Sequence, residues 1–332
     1  MTALVPMTEP RPFVHEPVLA SRVLELFAPV PAGTIVDATL GGAGHAAALL
    51  EARSDLRILG LDQDPHALDA ARVRLAPFGE RATAVHARFD RLATVVAAAG
   101  AASQPHADSP IVGVLFDLGV SSPQFDQPER GFSYRHDAPL DMRMDTTADR
   151  SAADIVNGAS ESELAKLLRD NADERFAGRI ARAIVAARPL ATTGELRDIV
   201  LEAIPAPARR HGGHPAKRTF QALRIAVNDE LGVLRPALDA AIAVTVPGGR
   251  VVAISYHSGE DRIVKAALRH AETGGCTCPP GLPCGCGAIR TVRLLSRGGW
   301  VADEAEAAAN PRSTSARLRA AEKLPTTDED LR

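Results

Sequence analysis

The chain reads as an α/β protein, a parallel sheet with helices on both faces, interrupted by one all-helical insertion. Three observations predict this. Short apolar runs alternate with helical patterns from Pro17 to Asp117, the alternation stops between about residues 126 and 229, and a strand signal returns at Arg250. Alternation of this kind needs crossover connections, which make neighbouring strands parallel and lay helices over both faces.

In order, Pro17 to Phe27 is an amphipathic helix, with Val18, Leu19, Val23, Leu26 and Phe27 apolar. Thr34 to Asp37 is a short apolar strand, Gly41 to Gly44 a glycine-rich turn, and Ala46 to Ala52 helical. Arg57 to Leu61 is a second strand ending at Asp62. Asp64-Pro65 then pairs an N-cap with a first-turn proline and opens a helix through Leu75. Thr83 to His86 is a third strand, Phe89 to Ala99 a third helix of this rhythm, and Ile111 to Phe116 a fourth strand ending at Asp117. Ala101 to Pro110 has the small, polar composition of a surface loop.

In the insertion, Ser160 with Glu163 and Thr192 with Glu195 have the spacing of capping boxes. A helix with a basic stripe lies between them, Glu174 to Arg188, and a long helix runs from about Thr219 toward Val244, with a kink or break expected at Pro236. The turn Pro247-Gly248-Gly249 then leads into the strand Arg250 to Tyr256. The α/β domain is thus expected over 1–125 plus 230–332, and the helical insertion over 126–229.

With 332 residues the chain suits one large domain or two ordinary ones. Aromatic residues make up only 4%, so aliphatic side chains and alanine must build the core. No apolar run approaches the ~18 residues of a membrane span, and the N-terminus lacks the charged start and apolar block of a signal peptide. A cytoplasmic protein without a membrane partner is expected.

The formal net charge of −3 argues weakly against a nucleic-acid partner, but the charge is uneven. Arg209, Arg210, Lys217, Arg218 and Arg224 cluster, with His211 and His214 between them; Arg312, Arg317, Arg319 and Lys323 form a second group. Either group reads as a phosphate-binding patch or as ordinary solvated surface.

Asp37-Ala38-Thr39-Leu40-Gly41-Gly42-Ala43-Gly44-His45 sits at a strand-to-helix junction, where glycines let the backbone turn tightly and approach a ligand. A plain turn is the alternative. Asp62 ends the second strand, 18 residues beyond Gly44, where a carboxylate can accept both ribose hydroxyls of an adenosine cofactor. NAD and S-adenosylmethionine both meet that geometry. The spacing Gly41, Gly42, Gly44 is not G-x-G-x-x-G, and Asp37 before the turn suits an ammonium group better than a pyrophosphate, which favours S-adenosylmethionine. Phe89 either lies against the adenine or packs in the core. Asp117 ends the fourth strand, on the rim where α/β proteins bind ligands.

Longer motifs follow: Asp117-Leu118-Gly119-Val120-Ser121-Ser122-Pro123-Gln124, Glu129-Arg130-Gly131-Phe132-Ser133, Pro139-Leu140-Asp141-Met142-Arg143-Met144-Asp145 and Glu174-Arg175-Phe176. So do Lys217-Arg218-Thr219-Phe220-Gln221-Ala222-Leu223-Arg224 and Tyr256-His257-Ser258 with Glu260-Asp261-Arg262. With His15-Glu16-Pro17-Val18-Leu19 and Asn310-Pro311-Arg312, this order of motifs closely resembles the RsmH (MraW) family of 16S ribosomal RNA methyltransferases, from about residue 14 to about 322.

The resemblance implies a Rossmann-like, class I S-adenosylmethionine-dependent methyltransferase domain interrupted by a helical substrate domain. It implies methylation of N4 of a cytidine near the ribosomal P site, with 16S rRNA, within the small subunit, as partner. Matched residue by residue, it implies cofactor contacts from Ala43, Gly44, His45, Asp62, Phe89, Asp117 and Gln124. The chain departs from the family at Tyr256, where phenylalanine is usual, and at Gly259, where leucine is usual.

A cytosine N4 lone pair is delocalised into the ring, so a site must hold N4 in line with the methyl donor and accept hydrogen bonds from its protons. Asp117, Ser121 and Ser122 are the candidate acceptors, and His257 is a candidate for touching the base or carrying off a proton, or else a hydrogen-bonded rim residue. Phe125, Phe132 or Tyr134 offers a stacking face. Asp141 and Asp145 flank Arg143, to aim it at phosphate or to stitch the insertion to the core. Arg209 through Arg224 is the first choice for RNA backbone contact.

Cys276, Cys278, Cys284 and Cys286 are the chain's four cysteines; they allow a structural zinc site, although C-x-C is tighter than the usual C-x-x-C, or plain thiols. A methyltransferase acting on DNA or a small molecule, a non-catalytic RNA-binding protein and an NAD oxidoreductase are the competing readings. A homodimer is compatible with the sequence.

Overall fold

The computed structural model describes residues 17–100, 106, 109–121, 124–125, 127–210, 213–279 and 285–325, with only the backbone of Arg210. The motif residues His15 and Glu16, as well as Ser122, Pro123, His211 and Cys284, lie outside the described residues.

The sheet begins with β1 (Gly33–Asp37), β2 (Leu56–Asp62) and β3 (Ala82–His86), joined through α2 (Gly44–Ala52) and α3 (Pro65–Leu75). After α4 (Leu92–Ala99), β4 (Ile111–Asp117) returns to pair with β1 on its other side. β5 (Arg250–Ser255) extends the sheet beside β4, also parallel. Every residue of β1 is buried, and β4 is buried up to Asp117, because both faces are covered. Side chains alternate between two cores. Ile35, Ile58, Leu115 and Val252 face α1 (Ala20–Phe27), α2 and α3, while Val36, Leu59, Val114 and Val251 face α4, α10 (Leu234–Val244) and α11 (Ser258–Thr273).

The sheet is not wholly parallel. β8 (Arg317–Lys323) pairs antiparallel with β5, and β6 (Val292–Leu294) and β7 (Trp300–Val301) pair antiparallel with β8. The second basic group therefore belongs largely to a strand. Arg319 is buried and bonds Asp261 through two nitrogens at 2.7 and 3.1 Å, and the Lys323 ammonium donates to the Ile242 carbonyl at 2.8 Å. Those two cations are committed to the fold. α12 (Glu304–Ala309) lies in the connection between β7 and β8.

Between β4 and α10 the chain forms α5 (Ala152–Gly158), α6 (Glu161–Ala172), α7 (Ala177–Ala186), α8 (Thr193–Ala203) and α9 (Lys217–Asn228). Their apolar faces enclose a third core, including Ile155, Leu168, Ile180, Leu196 and Leu223. Capping boxes at Ser151/Asp154, Ser160/Glu163 and Thr192/Glu195 set three of the helix starts. The long helix expected from Thr219 to Val244 is two helices. It breaks at Asp229, whose left-handed φ of 51° ends α9, and Pro236 sits in the first turn of α10, where its missing N–H is not needed. The Arg143 loop is closed on itself: Arg143 bonds both oxygens of Asp141, at 2.7 and 2.8 Å, and the Ala148 carbonyl at 2.6 Å. Among the described residues no helix is long and apolar enough to cross a membrane.

Candidate active site

The order β3-β2-β1-β4-β5 reverses direction between β1 and β4, the position in an open α/β sheet where strand ends leave a crevice. Asp37, Asp62 and Asp117 end β1, β2 and β4 at that crevice. The turn after β1 places Gly41 and Ala43 at φ 51° and 59°, a left-handed conformation that costs Ala43 energy and exposes the N-terminus of α2. Gly44 is needed for a different reason than ligand approach: a Cβ there would lie 2.7 Å from the Pro17 ring.

The acids are held differently. Asp62 Oδ2 accepts from the Gly41 N–H at 2.7 Å and Oδ1 from the Asp64 N–H at 2.8 Å. Burial nevertheless pushes its pKa up to about 6. Asp37 is only 2% exposed and accepts one long bond, 3.3 Å, from the Thr39 N–H. Burial pushes its pKa up to about 7, against the opposing field of His45 and with the repulsion of Asp117 and Asp62. Asp117 Oδ1 accepts from the Tyr256 hydroxyl at 2.7 Å, while Oδ2 lies 3.6 Å from His45 Nε2. The Asp117 N–H donates to Thr39 Oγ1 at 2.6 Å, which locks β4's end to the turn. Among the described residues of this rim, Ser121 Oγ is buried without a hydrogen bond, and two ring nitrogens meet a carboxylate oxygen without hydrogen-bond geometry: His45 Nε2, 3.6 Å from Asp117 Oδ2, and His257 Nε2, 3.2 Å from Glu260 Oε1. Ser121 lies over the turn, its Cβ 4.0 Å from where a Cβ on Gly41 would stand.

Other residues singled out in the sequence have partners of their own. Phe89 packs edge-on against Phe116, with centroids 6.0 Å apart, among core side chains. Gln124 is buried; its amide donates to Asp64 Oδ2 at 2.8 Å and its carbonyl oxygen accepts from the Ser121 N–H at 3.0 Å. His257 is the N-cap of α11, with Nδ1 accepting from the Glu260 N–H at 3.4 Å. Gly259 leaves room for that ring, since a Cβ would lie 3.1 Å from it. Arg224 is not available to a phosphate. It forms a two-bond ion pair with buried Glu230, both contacts 2.9 Å, and this corrects its assignment as an RNA contact. Lys217 and Arg218 are exposed, and Arg209 donates to the Ile204 carbonyl at 2.8 Å. Of the aromatics, Phe132 is buried and Tyr134 stacks on His214 at 4.2 Å, whereas Phe125 is 39% exposed.

Three residues matter more than the sequence suggested. Asp64 is a hub, capping α3 and bonding both Gln124 and the buried Arg130, whose Nη2 lies 3.0 Å away. Its signal was visible only as a helix cap. Arg130 adds bonds to the Arg143 and Met144 carbonyls, so this hub ties the loop after β4 to α3. Tyr256 stood out only as a departure from the family pattern, and its contact with Asp117 spans 139 residues.

A Rossmann-like sheet with three carboxylates ending its strands around a glycine turn, and a helical insertion beside them, defines a methyltransferase of the S-adenosylmethionine-dependent class. A family profile described as the MraW methylase family matches residues 12–324, and the chain belongs to that family. It is 52% identical over 317 residues to a Heliobacterium modesticaldum protein named "Ribosomal RNA small subunit methyltransferase H", covering 94% of this chain and 99% of the relative. Proteins of the same name from Symbiobacterium thermophilum and Acidothermus cellulolyticus are 53% and 51% identical, covering 96% and 99% of this chain and 99% of each relative.

Proposed function

We propose that this chain methylates the N4 amine of a cytidine in the decoding, P-site region of 16S ribosomal RNA, using S-adenosylmethionine and acting on the small subunit in the cytoplasm. The observation that carries the reading is the buried, unneutralised carboxylate of Asp37 beside Asp62 and Asp117. Asp37 is 2% exposed and accepts a single long bond, 3.3 Å, from the Thr39 N–H, and burial pushes its pKa up to about 7, so an amino-acid ammonium would supply the positive charge this site lacks. The names of the relatives support ribosomal RNA as the substrate.

When bound, S-adenosylmethionine supplies an electrophilic methyl group on a sulfonium. Asp37 would hold the ammonium. Asp62 is fixed by two backbone N–H groups and keeps a second lone pair on each oxygen for the ribose hydroxyls. Ala43, Gly44 and His45 form the start of α2, whose N–H groups favour an anionic carboxylate. Phe89 would border the adenine side from the core, and Gln124 would act through Ser121 and Asp64 rather than by touching the cofactor.

The Tyr256 hydroxyl occupies one oxygen of Asp117 and leaves Oδ2 to accept a hydrogen bond from N4. Ser121 Oγ would be a second acceptor, with Ser122, the next residue in sequence, a further candidate. As N4 bonds to the methyl carbon, the carbon–sulfur bond would break with its electron pair returning to sulfur, and N4 gives up one proton. Asp117 is placed to receive it, with His257 beside it on the β5 end. Phe125 provides the exposed aromatic face for the base. The insertion, 126–229, would serve as the substrate domain, with Arg209, Arg210, Lys217 and Arg218 on the RNA backbone. Replacing Lys217 and Arg218 by Gln should weaken RNA binding uniformly across sequences and lower the salt slope by about one for each phosphate no longer neutralised; an unchanged slope rejects the patch.

The deciding experiment incubates the protein with labelled S-adenosylmethionine and small ribosomal subunits from a strain lacking the gene, then digests the RNA to nucleosides. Label in N4-methylcytidine, or its 2′-O-methylated form, is the expected result. Label in another nucleoside removes the cytosine assignment, and failure to bind the cofactor removes the reading of the acidic rim.

A further inference from the structure

The connection from α11 to β6 is described over residues 274–279 and 285–291. Its two ends are pinned to the last turn of α11. The Cys276 N–H donates to the Thr273 carbonyl at 3.1 Å, and on the return the Thr291 N–H donates to the Ala271 carbonyl at 3.0 Å and Arg290 Nε to the Glu272 carbonyl at 2.9 Å. Within this stretch the sulfurs of Cys276, Cys278 and Cys286 lie within 4.8 Å of one another. Cys286 is eight residues beyond Cys278 in sequence, so the fold, rather than sequence adjacency, brings its sulfur to the other two.

We propose that these three thiolates hold a Zn²⁺ ion. Thiolates are soft donors and select zinc over the harder divalent cations. In a tetrahedral site with Zn–S of about 2.3 Å, sulfurs stand roughly 3.8 Å apart, so the cluster needs to contract by no more than about 1 Å. The Cys278 N–H donates to Cys276 Sγ at 3.4 Å. A backbone donor aimed at a ligating sulfur offsets its negative charge and fixes its orientation, as supporting contacts around metal sites do. The ion would supply a cross-link within this connection. It would fasten the 276–278 strip to 286 and hold the entry to β6, the edge strand paired with β8. The role is structural and does not depend on the methyl-transfer reading.

The test uses the full chain purified under reducing conditions. Metal content is measured by plasma mass spectrometry and thiols by a colorimetric reagent, before and after a chelator. The chelated, fully reduced protein is then titrated with Co²⁺ without air. The proposal expects about one zinc per chain, intense thiolate-to-cobalt absorption in the near ultraviolet, and the visible bands of a tetrahedral ion. The double variant Cys276→Ser, Cys286→Ser should lose at least about nine-tenths of the bound metal while still binding S-adenosylmethionine. If the variant fails to fold, the wild-type cobalt spectrum decides alone. Fully reduced wild-type protein that takes up neither zinc nor cobalt overturns the proposal, as does a folded double variant that keeps its zinc.

Discussion

Two groups of charge, one at the strand ends and one beside the insertion, are neutralised in different ways. At the strand ends, Asp37, Asp62 and Asp117 crowd together with His45 as the one basic side chain seen against them among the described residues, and burial raises the pKa of the first two. Where the insertion rejoins the sheet, the largely buried Arg224 and the buried Glu230 neutralise each other through two hydrogen bonds. Arg130 with Asp64 and Arg319 with Asp261 follow the second pattern. A charge buried with its partner fastens two segments. A charge buried without one stores an unfavourable energy that a ligand can relieve.

The largest effect should come from Asp117→Ala, which removes the acceptor at the β4 end. Turnover should fall by at least about a thousandfold, measured by methyl incorporation, with weaker cofactor binding by calorimetry. Near wild-type turnover would break the functional half of the comparison. Arg224→Ala attacks the structural half. It strands Glu230 as a buried unpaired carboxylate and should cost about 3 kcal/mol or more in urea unfolding. Arg224→Met with Glu230→Leu should recover most of that loss. A mild single-variant effect would show that the pair is not structural.

The acidic rim also makes a pH prediction. Asp37 titrates near 7 in the fold, against an ordinary carboxylate value of 3.8, so the folded chain keeps a proton that the unfolded chain has released. The ligand-free protein should therefore lose stability as pH rises from about 4 through 7. Asp37→Asn should remove the Asp37 share of that decline, leaving the part from Asp62 that ends near pH 6, while abolishing cofactor binding, and thermal melts across the range check it. In the wild type, cofactor affinity should rise over the same window as Asp37 ionises. A smaller effect is expected from Tyr256→Phe. It deletes one hydrogen bond to a charged oxygen, about 1.5 kcal/mol or roughly tenfold, and should fall on kcat rather than on cofactor affinity. Equal losses in both would mean that Tyr256 only fills space.

Much of the fold could be read directly. The apolar runs of β1, β2, β4 and β5 are continuous because both faces are covered, and Ser160 and Thr192 announce their helices by local spacing. β8 was illegible. Arg-Leu-Arg-Ala-Ala-Glu-Lys has the composition of a helix or a basic surface, and it is a strand because β5 offers an unpaired edge. Residue type points to Pro236 for the break after α9, but the break falls at Asp229.

The candidate site divides in the same way. The placement of Gly41 in a turn and of Asp62 and Asp117 at strand ends was legible because strand ends and turns write themselves in contiguous residues. The sequence by itself determined the α/β order, the helical insertion, the family and the acids at the strand ends, since each depends on neighbours within a few positions. Only the tertiary structure decided which charges are spent. Arg224, Arg319, Gln124 and Tyr256 carry the same donors whatever they face. Whether a donor meets phosphate, cofactor or a buried carboxylate depends on distances across the fold that no local pattern encodes.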